Sequence, residues 1–258
     1  MMHVIYMAAG NSRRFGSNKL LFPWHGKPLY RHTFDLLLER QQAWAGRCPF
    51  SITVVTQYEQ ILRELGELSG QEGLFLVYCA DSKKGVSYTI RAGIQAVLSQ
   101  YAQHEEWHST ETASLRAGGG SQSCRELSQD MWMFVVADQP FLSAASIDAL
   151  LQAVCDAGGQ SGSREQPGAD ACSGERQESP EAFSLSCLGR VGNPCVFSGA
   201  LIPELLALEG DQGGRTILKK HRCRYIEIKN AIEFTDIDSV EDAGQIGGTE
   251  DVDGDMVL

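Results

Sequence analysis

The chain contains no Cys-x-x-Cys pair; its eight cysteines, at 48, 79, 124, 155, 172, 187, 195 and 223, are scattered. That absence removes the usual spacing of zinc ribbons, iron–sulfur sites and thioredoxin-like redox centres, and unpaired thiols are the expectation. No apolar run approaches the ~20 residues that a membrane-spanning helix needs. The N-terminus runs straight into MHVIYMAAG with no basic region or cleavage site, so no secretory leader is expected and the expected compartment is the cytoplasm. A cationic surplus is lacking too: 33 acidic against 22 basic residues give a formal net charge of −11. The C-terminal DIDSVEDAGQIGGTEDVDGDMVL holds no Lys or Arg at all. A broad nucleic-acid surface needs many cations facing phosphates, whereas a few focused cations in an acidic chain suit a small anionic ligand.

What is present is a 258-residue chain with 43% hydrophobic and 21% charged residues, enough to bury a substantial core. HVIYMAA (3–9), SITVVT (51–56), LFLVYC (74–79) and MWMFVVA (131–137) are continuous apolar runs rich in β-branched or aromatic residues. Such runs predict strands covered on both faces, as in a parallel sheet. Helical patterns lie between and after them, at 28–40, 59–68, 86–100 and 144–157. The rhythm predicts an α/β fold, a mostly parallel sheet with helices on both faces and the ligand at the strand C-termini. Residues 101–130 and 158–182, rich in Ser, Gly, Gln and Glu, read as flexible insertions within a single domain over 1–243. Residues 244–258 read as an acidic, disordered tail.

The residues that carry chemistry begin with YMAAGNSRRFGSNKLLF (6–22). The first strand ends in small Ala8, Ala9 and Gly10, and the loop Asn11 to Lys19 offers backbone amides, two guanidiniums and an ammonium to a polyphosphate. Its G-x5-G spacing is neither a Walker A loop nor GxGxxG, and no acid stands about 20 residues on, which argues against a dinucleotide oxidoreductase; a basic surface loop is the plain alternative. In KKGVSYTIRAGIQ (83–95), Gly85 precedes a helix whose first turn carries Ser87 and Thr89, an anion or base-edge site that ordinary N-capping would equally explain. VVADQPFLS (134–143) puts Asp138 just past a buried strand, and FTDIDSVED (234–242) supplies a second acidic cluster after the predicted strand RYIEIK. Two converging carboxylates opposite a phosphate loop are the hard oxygen ligands that Mg²⁺ prefers. Asn193, in a Gly-Asn-Pro turn, could present an amide to a substrate, and Asp211 to Arg215, in GDQGGR, could form a second anion-facing loop; two surface turns are the alternative.

MAAGNSRRFGSNKLL resembles the AAG-x-S-x-R-[MF]-G-x-x-K signature of the MobA-like nucleotidyltransferase superfamily. The likeness continues in order through GKPL, KKGVSYTIRAGI, ADQP, GNPCVF, GDQGGR and FTDIDSVED, over residues 3–100, 131–157 and 189–243. Within that superfamily the set is most similar to the molybdenum cofactor cytidylyltransferase family. The resemblance implies a Rossmann-like nucleotidyltransferase fold that uses Mg²⁺ to transfer CMP from CTP to the terminal phosphate of molybdopterin, releasing pyrophosphate. It implies Arg14, Lys19 and Asp138 as catalytic residues. Ala8, Ala9, Gly10, Asn11, Ser12, Arg14, Gly16, Lys19, Ser87 and Gly93 would bind the nucleotide; Gln139, Pro140, Asn193, Asp211 and Arg215 would face the acceptor. The metal ligands would be Asp138 with Asp236 or Asp238. Guanine-selecting branches resemble AGG where this chain has Ala8-Ala9-Gly10, and the bulkier Ala9 favours a pyrimidine. The chain departs from the pattern at Tyr6 and Met7, in the length of its insertions, and at Ser239-Val240, where Thr-Pro is usual. Two other enzymatic readings are GMP transfer to the same cofactor and CMP transfer to another small phosphorylated substrate. A reading of a different class is a module that binds the finished cofactor and delivers it to an apo-molybdoenzyme or its maturation chaperone; no nucleic-acid or membrane partner is expected.

Overall fold

A computed structural model of the chain describes residues 1–12, 15–68, 70–109, 128–159, 180–239 and 241–242. Seven strands form one sheet: β1 (Met2–Ala8), β4 (Phe50–Thr56), β5 (Leu74–Tyr78), β6 (Met131–Val136), β7 (Ala182–Cys187), β8 (Arg190–Ser198) and β9 (Cys223–Glu227), in the order β5-β4-β1-β6-β8-β7-β9. β5, β4, β1 and β6 run parallel, β8 is antiparallel to both of its neighbours, and β9 is parallel to β7. The mostly parallel sheet expected from the continuous apolar runs is therefore the one observed. Each run feeds two cores by alternation. Val4, Tyr6 and Ala8 of β1 join one buried cluster with the helices α1 (Leu29–Trp44), α2 (Glu59–Gly66) and α4 (Ala144–Gly159). Ile5 faces the other cluster with α3 (Val86–Ser109), α5 (Ile202–Leu206) and α6 (Arg215–Leu218). The side-chain period of two is what lets one strand serve both faces.

β1 is the switch point of the sheet. The chain builds β4 and β5 on one side of β1, then crosses to place β6 on the other. The C-terminal ends of β1 and β6 thus diverge around a crevice, the place where open α/β sheets bind ligands. Tyr6 is fully buried and donates its hydroxyl to the Tyr30 carbonyl at 2.5 Å, so its polar end is satisfied inside the core.

Several boundaries differ from the sequence-based expectation. The segment 23–28, ahead of the first predicted helix, is the hairpin of β2 (Pro23–Trp24) and β3 (Lys27–Pro28). His25 and Gly26 at its tip have φ of 43° and 80°, the twist that two-residue hairpin loops require. The insertion expected at 101–130 is helical up to Ser109, and both of its ends are anchored. Tyr101 Oη donates to Asp130 at 3.1 Å, and the same carboxylate takes the His3 ring at 3.1 Å and the amino group of Met1 at 2.5 Å. The remainder of that insertion, most of the second one and the tail from 243 lie outside the described residues. β7 was not expected at all. Its serines interrupt the apolar run, yet Ser184 is satisfied by the Gly192 carbonyl at 2.7 Å and Ser186 by Glu227 at 2.5 Å, so a serine-bearing strand can be buried throughout. No helix among the described residues is long and apolar enough to cross a membrane.

Gly93 is set by packing. A Cβ there would lie 2.5 Å from Ile5 Cγ2 and 3.1 Å from Val55 Cγ2, so the glycine faces the sheet. The expectation that it touches the nucleotide is corrected: it lets α3 lie close on β1 and β4. Gly93→Ala overpacks that contact and is expected to cost about 1–3 kcal/mol, read as a lowered urea midpoint with an unchanged denaturant slope.

Candidate active site

The crevice beside β1 is closed by three loops. After β1, Ser12 (φ 49°) turns the chain back, its carbonyl accepting from Phe15 N at 3.0 Å and its hydroxyl from Lys19 N at 3.0 Å. Gly16, at φ 73°, sits inside that turn. Lys19 opens a short 3-10 turn whose N-cap, Asn18, accepts from Leu20 N at 3.1 Å. After β6, the turn Ala137–Pro140 carries Asp138. The segment 235–239 lies alongside and is tied to this turn by Ile237 N, which donates to the Asp138 carbonyl at 3.1 Å. Ile237 packs with Phe15, Trp24 and Leu29, so one small apolar cluster fixes the loop, the hairpin and the acidic segment together.

The result is an ion cluster. Lys19 Nζ is 2.8 Å from Asp138 Oδ2 and 2.8 Å from Asp238 Oδ1, and the Lys19 side chain is only 7% exposed. Burial opposes the charge on Lys19, but Asp138 and Asp238 outweigh it and raise the ammonium above its usual pKa. Asp236 is turned elsewhere and accepts from Gln139 Nε2 at 2.8 Å. Its carboxyl is raised, first by desolvation and then by the negative charge of Asp138, against a lowering by Gln139. Of the two acids left open by sequence, it is Asp238 that converges with Asp138 on one cation. Ser239 and Asp242 form a reciprocal cap: Asp242 N donates to Ser239 Oγ at 3.0 Å and Ser239 N to Asp242 Oδ2 at 2.8 Å. The departure from Thr-Pro therefore leaves the acidic segment anchored.

Two adjacent cavities open on this side of the sheet, the smaller of them lined in part by Asp138. The smaller, about 220 Å³, is lined by residues including Ala9, Gly10, Asn11, Ser82, Gly85, Thr89 and Asp138. The larger, about 610 Å³, is lined by residues including Phe134, Asn193, Cys195 and the loop from Asp211 to Thr216 with Arg215. Met7, Val86, Val136 and Asp211 border both. The wall between them depends on Gly85, at φ 148°, where a Cβ would run into the Gly210 carbonyl. Ser87 N donates to that same carbonyl at 3.1 Å, so the 209–214 loop docks on the start of α3.

Against these walls the expected residues sort clearly. Ala9, Gly10, Asn11 and Asp138 line the small cavity, Asn193 and Arg215 the large one, and Asp211 both. Ala8 is buried in the core beneath the site and is not part of either wall. Ser12 and Gly16 shape the loop. Ser87 is fully buried with its amide already used by Gly210, which corrects the expectation of an anion held there; Ser82 and Thr89, hydrogen-bonded at 2.9 Å, occupy the wall instead. Gln139, expected at the acceptor, is 3% exposed and serves Asp236, and Pro140 continues its turn without lining either cavity. Arg14 lies outside the described residues. Sequence reasoning missed Ser82; it also passed over Gln57 and Tyr58, which donate to the Ala9 and Gly10 carbonyls at 2.7 and 2.5 Å. The Thr-Gln-Tyr junction between β4 and α2 resembles any other strand–helix connection and carries no signal of its own.

"Purine catabolism protein PucB" of Bacillus subtilis (strain 168) is 24% identical over 246 residues, 92% of this chain and 92% of that protein. Rv0371c of Mycobacterium tuberculosis H37Rv superposes with a TM-score of 0.58 at 16% identity, over 95% of this chain and 96% of that one. Its complex with manganese gives 0.54 at 17% identity, over 96% and 98%. The 4-diphosphocytidyl-2C-methyl-D-erythritol synthase of Anaerococcus prevotii DSM 20548 gives 0.54 at 12% identity, over 96% of each chain. At these identities the structural matches bear on the fold, the Rossmann-like arrangement of nucleotidyltransferases. The family model described as the MobA-like NTP transferase domain matches residues 4–225, most of the chain, and the protein therefore belongs to that nucleotidyltransferase family.

Proposed function

We propose that the protein, read as one nucleotidyltransferase domain over residues 1–243, transfers CMP from CTP to the terminal phosphate of molybdopterin and releases pyrophosphate. The observation that carries this reading is the buried Lys19 between Asp138 and Asp238, with Asp138 in the wall of the smaller of two adjacent cavities. The small cavity, with Ala9 in its wall, suits a pyrimidine nucleotide. The large one, with Arg215 and the Asn193 amide, suits a phosphorylated acceptor of greater size. The dinucleotide product would pass to an apo-molybdoenzyme or its maturation chaperone.

Two carboxylates converging on one cationic atom are a donor set that fits Mg²⁺. Asp138 and Asp238 would hold the ion, which when bound supplies neutralising charge at the α-phosphate and the departing pyrophosphate. The manganese complex of Rv0371c supports a divalent ion in this fold. An oxygen of the acceptor phosphate attacks the α-phosphorus, and the bond to the bridging oxygen breaks, its electron pair leaving with pyrophosphate. That nucleophile is already anionic, so no strong general base is needed. The work of this chain is in-line positioning and electrostatic stabilisation. Lys19 neutralises the triphosphate, Gly10 and Asn11 amides line its cavity, and Arg215 orients the acceptor.

The test is pyrophosphate release with Mg²⁺ and molybdopterin, CTP against GTP. CTP is expected to turn over at least about tenfold faster, the discrimination of roughly 1.4 kcal/mol that a steric difference in a base pocket readily supplies. Equal use of both nucleotides would remove the argument from Ala9, and no release with either would remove the reading.

A further inference from the structure

We propose that Gln57 and Tyr58 are positioning residues that aim the backbone amides of Gly10 and Asn11 at the nucleotide; the inference rests on the nucleotide-transfer reading above. β1 and β4 are parallel and in register up to Ala8 and Thr56. The residues that follow each strand therefore leave the sheet side by side, Ala9 and Gly10 next to Gln57 and Tyr58. Gln57 Nε2 donates to the Ala9 carbonyl at 2.7 Å, and Tyr58 Oη donates to the Gly10 carbonyl at 2.5 Å. In a planar trans peptide the N–H points opposite to the C=O. Holding the Ala9 and Gly10 carbonyls toward β4 turns the N–H groups of Gly10 and Asn11 the other way. Neither N–H has an acceptor among the described residues, and both residues line the small cavity beside Asp138.

A relay completes the device. Gln57 Nε2 also reaches Asn11 Oδ1 at 3.2 Å, and Asn11 Nδ2 donates to the Lys83 carbonyl at 2.9 Å. The loop after β1 is thereby tied both to the turn after β4 and to the turn that leads into α3. Two amides held ready for an anion cost no reorganisation when it arrives, whereas a loop free to flip its peptides must first be ordered. Nothing in the Thr-Gln-Tyr sequence announces this role; the parallel register creates it.

The experiment uses Gln57→Met and Tyr58→Phe, which keep side-chain size and remove only the donors, singly and together. Titration of the full chain with Mg²⁺ and each of CTP, GTP, ATP and UTP is combined with steady-state pyrophosphate release. Each single variant is expected to weaken CTP binding roughly 3- to 10-fold, the range that the net worth of one hydrogen bond implies. The double variant should weaken it by about the product of the two, with KM rising while kcat stays within about threefold. Thermal melts should show all three variants folded; a purely structural role for these residues would move the melt and leave KM alone. If wild-type protein binds CTP and the variants bind it equally well, the positioning role is overturned and the nucleotide reading stands. If wild-type protein binds none of the four nucleotides, both fall.

Discussion

Lys19→Ala is expected to lower turnover by about 10²- to 10³-fold, the cost of losing one preorganised electrostatic contact to transition-state charge, while far-UV circular dichroism stays that of a folded chain. The ammonium is held at 2.8 Å from each of two carboxylates and is almost wholly removed from solvent. It is therefore fixed in place before substrate arrives, and its charge acts in a medium far less screening than water. The raised pKa keeps it protonated through the whole physiological range. Because the folded value lies above that of the free side chain, the stability Lys19 contributes is fully present below the unfolded value of 10.5 and is lost as pH rises through the folded one. Alanine removes that contribution together with the ammonium that lies 2.8 Å from each of Asp138 and Asp238, so a lower melting temperature accompanies the lost turnover. Lys19→Arg should restore only part of the rate, because a planar guanidinium does not fit the niche of a compact ammonium. Turnover of the alanine variant within threefold of wild type would rule out the assignment of Lys19.

Asp138→Ala is expected to cost a similar 10²- to 10³-fold in turnover, for a complementary reason. Asp138 is placed by backbone: its carbonyl accepts from Ile237 N at 3.1 Å, which locks the β6 turn to the acidic segment. Removing the carboxylate leaves that bond intact, so the variant should fold. What it removes is one of the two oxygen donors and the partner that holds Lys19 on the β6 side. Asp138→Asn separates the two effects, since it keeps the shape and discards the charge. A loss in Asn equal to that in Ala assigns the effect to charge. The Mg²⁺ concentration for half-maximal turnover should also rise in both variants, because one carboxylate of the pair is gone. Asp236→Ala makes the contrast: its carboxyl faces Gln139 rather than the cation, and it should cost far less in turnover than Asp138→Ala. Wild-type rates in the Asn variant, or a larger loss at Asp236, would reverse the assignment.

The parts of the molecule that were legible in sequence are those whose signal is local. A strand covered on both faces is mostly apolar along its length, so 3–9, 51–56, 74–79 and 131–137 announce themselves and the observed strands begin and end within one residue of them. β7 escaped because Ser184 and Ser186 look like loop residues until their acceptors, Gly192 and Glu227, are known. Gly93 shows the opposite error. It sits inside a motif-like stretch and invites a ligand, yet the close approach it permits is to Ile5 across the helix–sheet interface. Ser87 likewise has the right residue type at a helix start, but the amide beside it is already taken by Gly210.

By itself, then, the sequence determined the α/β rhythm, and it singled out the loop after the first strand, Lys19, Asp138 and the acids at 236 and 238 as candidates for one charged site. Each of these follows from residue chemistry over a short span. Only the tertiary structure decided which acid pairs with which cation. Lys19 and Asp238 are 219 positions apart, and their contact exists because β1 and β6 are neighbours and Ile237 N is tied to the Asp138 carbonyl. It also decided that Gln57 and Tyr58 stand behind the loop, a consequence of parallel register between two strands separated by more than forty residues. Hydrogen bonds and ion pairs act over about 3 Å, and which groups come within that distance across the sheet is a property of strand order, to which no single stretch of sequence has access.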